Sequence, residues 1–260
     1  MSNTIDRQLT ITPIFGLPDI QPGDDVAGLI LKNACRYNIN ISNLDIFVIT
    51  QKIISKSEYR LFDIRLVTPS SYAQQLSDVT GKDPRLLQLI LNESKEVMRV
   101  RRGLIIVRHK LGFVCANAGI DHSNTIPGEE ANNYVLLLPE NPDRSARKIQ
   151  QDILKLTGVQ IGVLIIDSHG RAWRNGTTGS TIGIAGIPGI VDLRGKKDLY
   201  GYTLRATQVA AADELAAAAS LVMGQADESI PCVIVRGFPY PLRESSLQEL
   251  IRSEENDLFK

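Results

Sequence analysis

The sequence is poor in cysteine, histidine and aromatic residues. Cysteine occurs three times in 260 residues, at Cys35, Cys115 and Cys232, and aromatic residues make up 5% of the chain. The cysteines lie far apart, and no CxxC pair or Cys/His cluster is present. We therefore expect reduced, buried thiols in a cytoplasmic protein, and neither a disulfide framework nor a structural zinc site.

The chain also lacks an excess of charge and long apolar runs. Lys plus Arg and Asp plus Glu each number 29, so the formal net charge is zero. Proteins that bind nucleic acid usually carry a basic excess, so we expect no such partner. No apolar run approaches the roughly 18 residues of a membrane span, and the first residues lack the apolar core of a secretory signal. We expect neither feature.

Short apolar, β-branched runs bounded by turn-forming residues predict seven strands. They cover residues 9–14, 46–49, 104–107, 113–115, 134–138, 161–166 and 232–235. Helical periodicity predicts helices at 25–37, from 83 to 91, at 144–157 with Asp143 as N-cap, at 207–223 and at 246–253. Five glycines between 176 and 189 favour a loop that offers backbone N–H groups to phosphate or carboxylate.

The mixture of strands and helices predicts an α+β (mixed α/β) fold with mixed sheets. Neither GxGxxG nor GxxxxGK[ST] occurs, which excludes the Rossmann fingerprint and the Walker A loop. Two prolines, Pro139 and Pro142, interrupt the periodicity. We expect one unit over residues 1–260, with a soft boundary between two lobes near 139–143.

Two aspartates follow predicted strands. Asp167 comes directly after the run 161–166, and Asp121 follows a strand and a glycine-containing loop, with Asn124 three residues later. A hard cation such as Mg²⁺ takes one or two carboxylates together with phosphate oxygens and water, which fits such a pair. A turn cap at Asp167 and an Asx-turn at Asp121 are the structural alternatives.

Basic and imidazole side chains accompany these aspartates. Lys52 and Lys56 follow the predicted strand 46–49, and cationic groups at this place can neutralise phosphates. His122 and His169 lie next to or near the aspartates, and either is a candidate general base. A solvated surface role is the alternative for the lysines.

Nine motifs in fixed order then resemble one family. They are FGLP at 15–18, ISKSE at 54–58, NAGIDHSN at 117–124, DSHGR at 167–171, KDLYG at 197–201, ADE at 212–214, MG at 223–224, IP at 230–231 and VRG at 235–237. The series resembles the coenzyme F-420:L-glutamate ligase (gamma-glutamyl ligase) family over nearly the whole chain.

The resemblance implies a GTP-dependent ligase. In such an enzyme a carboxylate of a deazaflavin cofactor precursor is activated as an acyl phosphate. The amine of L-glutamate then attacks, which gives a gamma-glutamyl conjugate, GDP and phosphate. The resemblance further implies Mg²⁺ or Mn²⁺ together with K⁺, and a homodimer of two-lobed subunits with the nucleotide in a cleft near the interface.

The resemblance also implies site residues. It gives catalytic roles to Asp121, Asp167 and Lys56, and metal-binding roles to Asp121, Asp167, Ser168 and Gln225. The implied nucleotide-binding residues are Phe15, Gly16, Leu17, Pro18, Gln51, Lys52, Lys56, Asn124, Met223, Gly224, Gln225, Ala226, Asp227, Glu228, Ser229 and Ile230.

The sequence departs from the family pattern after the alanine-rich helix. Gln225 stands where the archaeal pattern has a metal-binding glutamate, so a second cation is held more weakly or by Asp227. The stretch MGQADE at 223–228 replaces a more glycine-rich one, which leaves the nucleotide preference open. Two alternatives follow: a related amide ligase that acts on another carboxylate, and a nucleotide-binding regulatory module without turnover.

Overall fold

Strands and helices are mixed along residues 8–258, the part of the chain that the computed structural model describes. The strands are β1 (Thr10–Pro13), β2 (Ile46–Thr50), β3 (Leu61–Asp63), β4 (Ser94–Arg101), β5 (Leu104–His109), β6 (Val114–Ala116), β7 (Tyr134–Leu136), β8 (Gly162–Arg171), β9 (Arg174–Ala185), β10 (Val191–Asp192), β11 (Gln208–Val209) and β12 (Cys232–Arg236). The α-helices are α1 (Val26–Arg36), α2 (Gln51–Ser57), α3 (Ser71–Thr80), α4 (Pro84–Asn92), α5 (Pro142–Thr157) and α6 (Ala211–Met223). This arrangement confirms the α+β class.

A five-stranded mixed sheet forms the first lobe, in the order β1-β12-β2-β8-β9. Strands β2 and β8 are parallel, and the other neighbours are antiparallel. Successive residues of β2 face opposite sides, as strand geometry requires. Phe47 and Ile49 pack in the core beneath α1 and α5, whereas Ile46 and Val48 pack in the core beneath α6. The sheet is therefore covered by helices on both faces.

The second lobe is an insertion between α2 and α5. It contains the sheets β4-β5-β6 and β3-β7 and the helices α3 and α4, around a core that includes Leu87, Ile105 and Val135. The chain enters this lobe after α2 and leaves it before α5. Arg60 links these two segments, because its Nε donates to the Leu138 carbonyl at 2.8 Å. Residues 139–143 lie on the return crossing into α5. The boundary there stays a prediction.

The apolar runs predicted the strands well. All seven occur, and six of them end within two residues of the predicted bounds. The helices predicted at 25–37, from residue 83 and at 144–157 are also confirmed as α1, α4 and α5. The described residues contain no helix with both the length and the apolar character required to cross a bilayer.

Other predictions were wrong. Residues 246–253 contain only a 3₁₀ turn, Leu247–Glu249, and the helix expected from residue 207 begins at Ala211 because Gln208–Val209 pairs as a strand. Asn141 caps α5 in place of Asp143, whose carboxylate accepts the Ile184 and Leu247 N–H groups. Cys35 is exposed, although all three cysteines are free as expected.

Asp167 lies within a strand and does not cap a turn, and the loop predicted for the glycines at 176–189 was wrong over most of its length. Strand β8 continues to Arg171 and pairs with β9 in a long hairpin, in which Asp167 lies opposite Ser180. Two of the glycines, Gly179 and Gly183, are needed because helices pack against both faces of the strand. A Cβ atom on Gly179 would lie 2.5 Å from the Ala216 carbonyl oxygen of α6, and one on Gly183 would lie 2.6 Å from the Pro142 backbone of α5.

We expect Gly183→Ala to lower the free energy of unfolding by about 2 kcal/mol, because the added methyl group meets backbone that cannot turn aside. Urea unfolding followed by circular dichroism measures this. Gly170→Ala in the same hairpin is the matched control, since a Cβ atom there has no neighbour within 4 Å. Equal midpoints for the two variants would contradict the tight packing of β9 on α5.

Candidate functional site

The site lies where several strand ends meet at one edge of the large sheet. Thr50 at the end of β2 pairs with Ile166 of the parallel strand β8, which continues beyond this point to Arg171. At this edge β12 also begins, and the Ile14 N–H donates to the Cys232 carbonyl. The carboxyl ends of parallel strands commonly border ligand clefts. Here they border a cavity of about 900 Å³, which is lined by residues drawn from the segments 17–20, 50–56, 116–127, 166–170 and 220–231.

Asp121 and Asp167 meet in this cavity from different lobes. Asp167 belongs to β8, and Asp121 is fixed by two backbone hydrogen bonds with Leu136 of the second lobe. Their side chains are 28% and 12% exposed. Burial and the charge of Asp167 together raise the pKa of Asp121 to about 6. The structure thus brings together the two aspartates that the sequence singled out.

Two residues at the start of α2 hold the Asp121 carboxylate. Gln51 Nε2 donates to Asp121 Oδ2 at 2.7 Å, and Lys52 Nζ lies 3.2 Å from the same oxygen. Gln51 is fully buried and accepts a hydrogen bond from Ser55, whereas Lys52 also donates to the Ser123 hydroxyl and carbonyl. Gln51 is not among the residues that line the cavity. It orients Asp121, a role that the sequence did not indicate.

Ser168 and Gln225 are also in contact. The Ser168 hydroxyl, on β8, donates to Gln225 Oε1 at 2.7 Å. Gln225 follows Gly224, the C-cap of α6 with φ of 75°, and the whole implied loop Met223–Ile230 lines the cavity. The Glu228 carboxylate accepts the Ala226 N–H, and this hydrogen bond lowers the pKa of Glu228. The loop is therefore held in shape by its own side chain.

Of the remaining residues that the resemblance implies, some line the cavity and others do not. Leu17, Pro18, Lys52, Lys56 and Asn124 line the cavity. Lys56 Nζ is 2.6 Å from an Asp19 carboxylate oxygen. Phe15 and Gly16 are outside the cavity lining, since the Phe15 ring packs against Tyr37 with 6.0 Å between the centroids. Their predicted nucleotide contact stays a prediction.

The two candidate histidines differ in position. His169 lines the cavity with its Nε2 3.0 Å from Asp167 Oδ2, outside hydrogen-bond geometry, and its ring packs on Phe113. His122 is not part of the cavity lining, and burial lowers its pKa. His169 is thus the one of the two that a ligand in the cavity can reach.

The donor set fits a hard divalent cation. Asp121, Asp167, Ser168 and Gln225 offer only oxygen ligands, which Mg²⁺ and Mn²⁺ accept, with phosphate oxygens and water as the usual remainder. Burial and the charge of Asp167 raise the pKa of Asp121, and a cation bound between the two carboxylates would relieve their repulsion. Within residues 8–258 no group of three or more His, Cys, Asp or Glu side chains forms a metal cluster. A cation here therefore needs ligands from substrate or water.

One further feature of the cavity wall was not predicted from the sequence. Asn117, Ala118 and Gly119 are consecutive left-handed residues, with φ of 51°, 55° and 65°. Asn and Gly are the residues that tolerate this conformation best, so the NAG triplet was an available signal. Asn117 lines the cavity, and its Oδ1 is buried without a hydrogen-bond partner.

The raised pKa predicts that Asp121 reduces stability above about pH 6. The folded pKa exceeds the unfolded value of 3.8, so the folded state binds more protons between these values and this carboxyl makes stability fall as pH rises through that window. We expect Asp121→Asn to raise the free energy of unfolding by about 1 kcal/mol above pH 6.5 and to have little effect near pH 4. The full pKa shift corresponds to a larger gain in stability, but the substitution also removes the ion-pair partner of Lys52, which offsets part of that gain.

Urea unfolding at pH 4 and pH 7.5 tests this expectation. Asp83→Asn is a control of opposite sign, because hydrogen bonds from Arg85 lower the pKa of Asp83 and its stabilising contribution is lost as pH falls. A lower stability of Asp121→Asn at pH 7.5 would show that Lys52 and Gln51 outweigh the burial of the carboxylate.

Comparison with known proteins agrees with the motif series. A family model described as F420-0:Gamma-glutamyl ligase matches residues 15–237. The coenzyme F420:L-glutamate ligase of Methanothermobacter thermautotrophicus is 42% identical over 254 residues, which cover 97% of this chain and 99% of the relative. The ligase of the same name from Methanocaldococcus jannaschii is 47% identical over 220 residues, 85% of this chain and 86% of the relative. That from Archaeoglobus fulgidus is 40% identical over 253 residues, 97% of each chain. The resemblance is thereby confirmed, and the chain belongs to the F420-0:gamma-glutamyl ligase family.

Proposed function

We propose that this ligase joins L-glutamate to the coenzyme F-420 precursor in a GTP-dependent reaction. Membership of the family supports the ligase activity, and the paired carboxylates of Asp121 and Asp167 in one cavity carry the proposal for this chain. A carboxylate oxygen of the precursor attacks the terminal phosphorus of GTP, which forms an acyl phosphate and releases GDP. The glutamate amine attacks the acyl carbon, loses a proton and expels phosphate as the amide forms.

The residues of the cavity suit the first step. Phosphoryl transfer needs positioning and charge neutralisation more than covalent help from the protein. Asp121 and Asp167, assisted by Ser168 and Gln225, would hold Mg²⁺ or Mn²⁺, which neutralises phosphate charge when bound. Lys52 and Lys56 present ammonium groups to the same cavity. Lys56 exchanges its Asp19 partner for a phosphate oxygen in this scheme.

The use of GTP as the nucleotide and the use of the coenzyme F-420 precursor as the acceptor are also parts of this proposal. Gln225 accepts the Ser168 hydroxyl, so it retains one carbonyl ligand but brings no charge to a second cation. Asp227 lines the same cavity and is the alternative ligand. This departure favours a second candidate function, in which the same chemistry acts on another carboxylate acceptor.

K⁺ dependence and the cytoplasmic location stay predictions, and we expect small-molecule substrates with no nucleic acid or membrane partner.

A homodimer is also part of the proposal. Residues Val191–Asp192 and Gln208–Val209 pair at the base of a two-stranded ribbon. At its tip Leu199 and Tyr200 are 97% and 96% exposed. Contiguous exposed apolar groups are typical of contact surfaces between proteins.

Mass spectrometry of the product tests the function directly. The protein is incubated with precursor, L-glutamate, GTP and either Mg²⁺ or Mn²⁺, with and without K⁺. We expect a product heavier than the precursor by one or more glutamyl residues, with GDP and phosphate released in equal amounts. Parallel reactions without glutamate and with ATP are the controls. Tight GTP binding with no phosphate release under any cation would favour the regulatory module, and product from another carboxylate would favour the second ligase function.

A further inference from the structure

The two oxygens of the Asp121 carboxylate have different surroundings. Oδ2 accepts a hydrogen bond from Gln51 Nε2 at 2.7 Å and lies 3.2 Å from Lys52 Nζ. A carboxylate oxygen has two lone pairs, so these two groups leave Oδ2 little capacity for a further ligand. Oδ1 has no hydrogen-bond partner among residues 8–258, yet it is not one of their buried atoms, so it is open to the cavity that Asp121 lines.

The Gln51 amide is fixed in one orientation. Gln51 and Ser55 lie one turn apart on α2, and both are completely buried. The Ser55 hydroxyl donates to Gln51 Oε1 at 2.8 Å, so the amide nitrogen faces the other way, toward Asp121. An ionised carboxylate only accepts hydrogen bonds, and a rotated amide would therefore place two acceptors in contact. Ser55 and Gln51 together hold Oδ2 of Asp121.

The backbone of Asp121 is held as well. Its N–H donates to the Leu136 carbonyl at 3.0 Å, and its carbonyl accepts the Leu136 N–H at 2.9 Å. These bonds belong to the second lobe, whereas Gln51 approaches from α2. Because backbone and Oδ2 are fixed from two directions, the carboxylate cannot turn to present both oxygens to the cavity.

The number of oxygens that a carboxylate presents matters for the choice of cation. Ca²⁺ is the larger ion, takes more ligands and often binds a carboxylate through both oxygens. Mg²⁺ keeps a compact octahedral shell with several waters and few carboxylate oxygens, and Mn²⁺ accepts the same octahedral oxygen ligands. We propose that Gln51 selects Mg²⁺ and Mn²⁺ over Ca²⁺ by holding Oδ2, so that Asp121 can bind a cation through Oδ1 alone. This inference rests on the cation site of the proposed function, and it makes Gln51 a positioning residue because the side chain does not line the cavity.

Cation binding to the full chain without nucleotide tests this role. The electron paramagnetic resonance signal of free Mn²⁺ reports binding, and Mg²⁺ and Ca²⁺ are added as competitors. Gln51→Met keeps an unbranched side chain and removes the donor. We expect it to raise the Kd for Mn²⁺ and Mg²⁺ about 10-fold and to leave the Kd for Ca²⁺ within about 3-fold of wild type, because groups that orient a metal-binding carboxylate typically contribute 10–100-fold to affinity. Ser55→Ala, which frees the amide to rotate, is expected to change the ratio in the same direction by less.

Two further variants are controls. Asp121→Asn is expected to weaken binding of all three ions, which locates the competition at this carboxylate. Thr80→Val removes a buried hydroxyl of α3 that donates to the Leu76 carbonyl at 2.7 Å, and it is expected to leave the ratio of the Ca²⁺ and Mg²⁺ constants unchanged. Melting temperatures of all variants report the loss of stability separately.

Several results would overturn the inference. They are a wild type that binds no Mn²⁺ or prefers Ca²⁺, an unchanged affinity for Mg²⁺ in Gln51→Met, and an equal loss for Mg²⁺ and Ca²⁺, since Gln51 would then support only the fold. If Gln51→Met does not fold, an unchanged ratio in Ser55→Ala decides against the inference. A wild type that selects Mg²⁺ as expected, but shows no glutamate-dependent release of phosphate, would refute the proposed function and leave the role of Gln51 supported.

Discussion

Asp167→Asn lowers turnover at least about 100-fold in the expected result, with the fold intact. The substitution keeps the size of the side chain and removes one of the two carboxylate charges in the cavity, so that only Asp121 remains. Electrostatic groups that stabilise a transferring phosphoryl group typically contribute factors of 10²–10³. Steady-state phosphate release with saturating GTP, L-glutamate and precursor measures the change.

A control and a second readout accompany this prediction. Asp192→Asn removes a carboxylate from the exposed ribbon, where it pairs with Arg194, and is expected to keep normal turnover. In Asp167→Asn the pKa of Asp121 is expected to fall, because the charge of Asp167 is one of the two causes that raise it. Carbon-13 NMR of labelled aspartate detects this shift without any assay of activity. Near-normal turnover of Asp167→Asn would remove Asp167 from the mechanism.

Loss of Arg60 is expected to give the largest change in stability. Its side chain is 10% exposed and donates to Glu93 at 2.6 Å, to Leu138 and to Glu140, which ties the inserted lobe to the sheet lobe. Removal of one member of a buried ion pair leaves the other charge unpaired and costs about 3–5 kcal/mol. We expect Arg60→Met to lower the free energy of unfolding by this amount, measured by urea titration.

A double substitution distinguishes the unpaired charge from lost packing. Arg60→Met with Glu93→Gln is expected to recover part of the stability, because the second change removes the buried charge. Arg65→Met is the surface control, since Arg65 is 44% exposed and its pairs with Asp63 and Glu130 are screened by water. Equal losses for Arg60→Met and Arg65→Met would mean that the buried network contributes no more than a surface pair.

The sequence predicted features that depend on neighbours in the chain. Strand β2 is a run of β-branched and aromatic residues, and α4 opens at Asp83-Pro84, where the Asp83 side chain accepts the Arg85 N–H. Asp121 and Asp167 were identified because each follows an apolar run. These signals are local, and the structure confirms the elements that carry them.

Features that depend on tertiary contacts were not predictable in the same way. The glycines of β9 resemble a loop in sequence, yet at Gly179 and Gly183 the helices α6 and α5 leave no room for a side chain. Gln51 was expected to contact a nucleotide, and only the pairing of α2 with the second lobe shows it beneath Asp121. Local periodicity likewise gives no information about the inserted lobe, which is defined by its separate core.

The position of β12 has a consequence for biosynthesis. This strand lies between β1 and β2 in the sheet, although more than 180 residues separate it from β2 in the chain. On the ribosome, β1 and β2 emerge well before the neighbour that they share, which is made together with Ile230 and Pro231 of the cavity wall. The nascent chain thus carries unpaired strand edges while the residues between β2 and β12 are made, a state that favours wrong pairing.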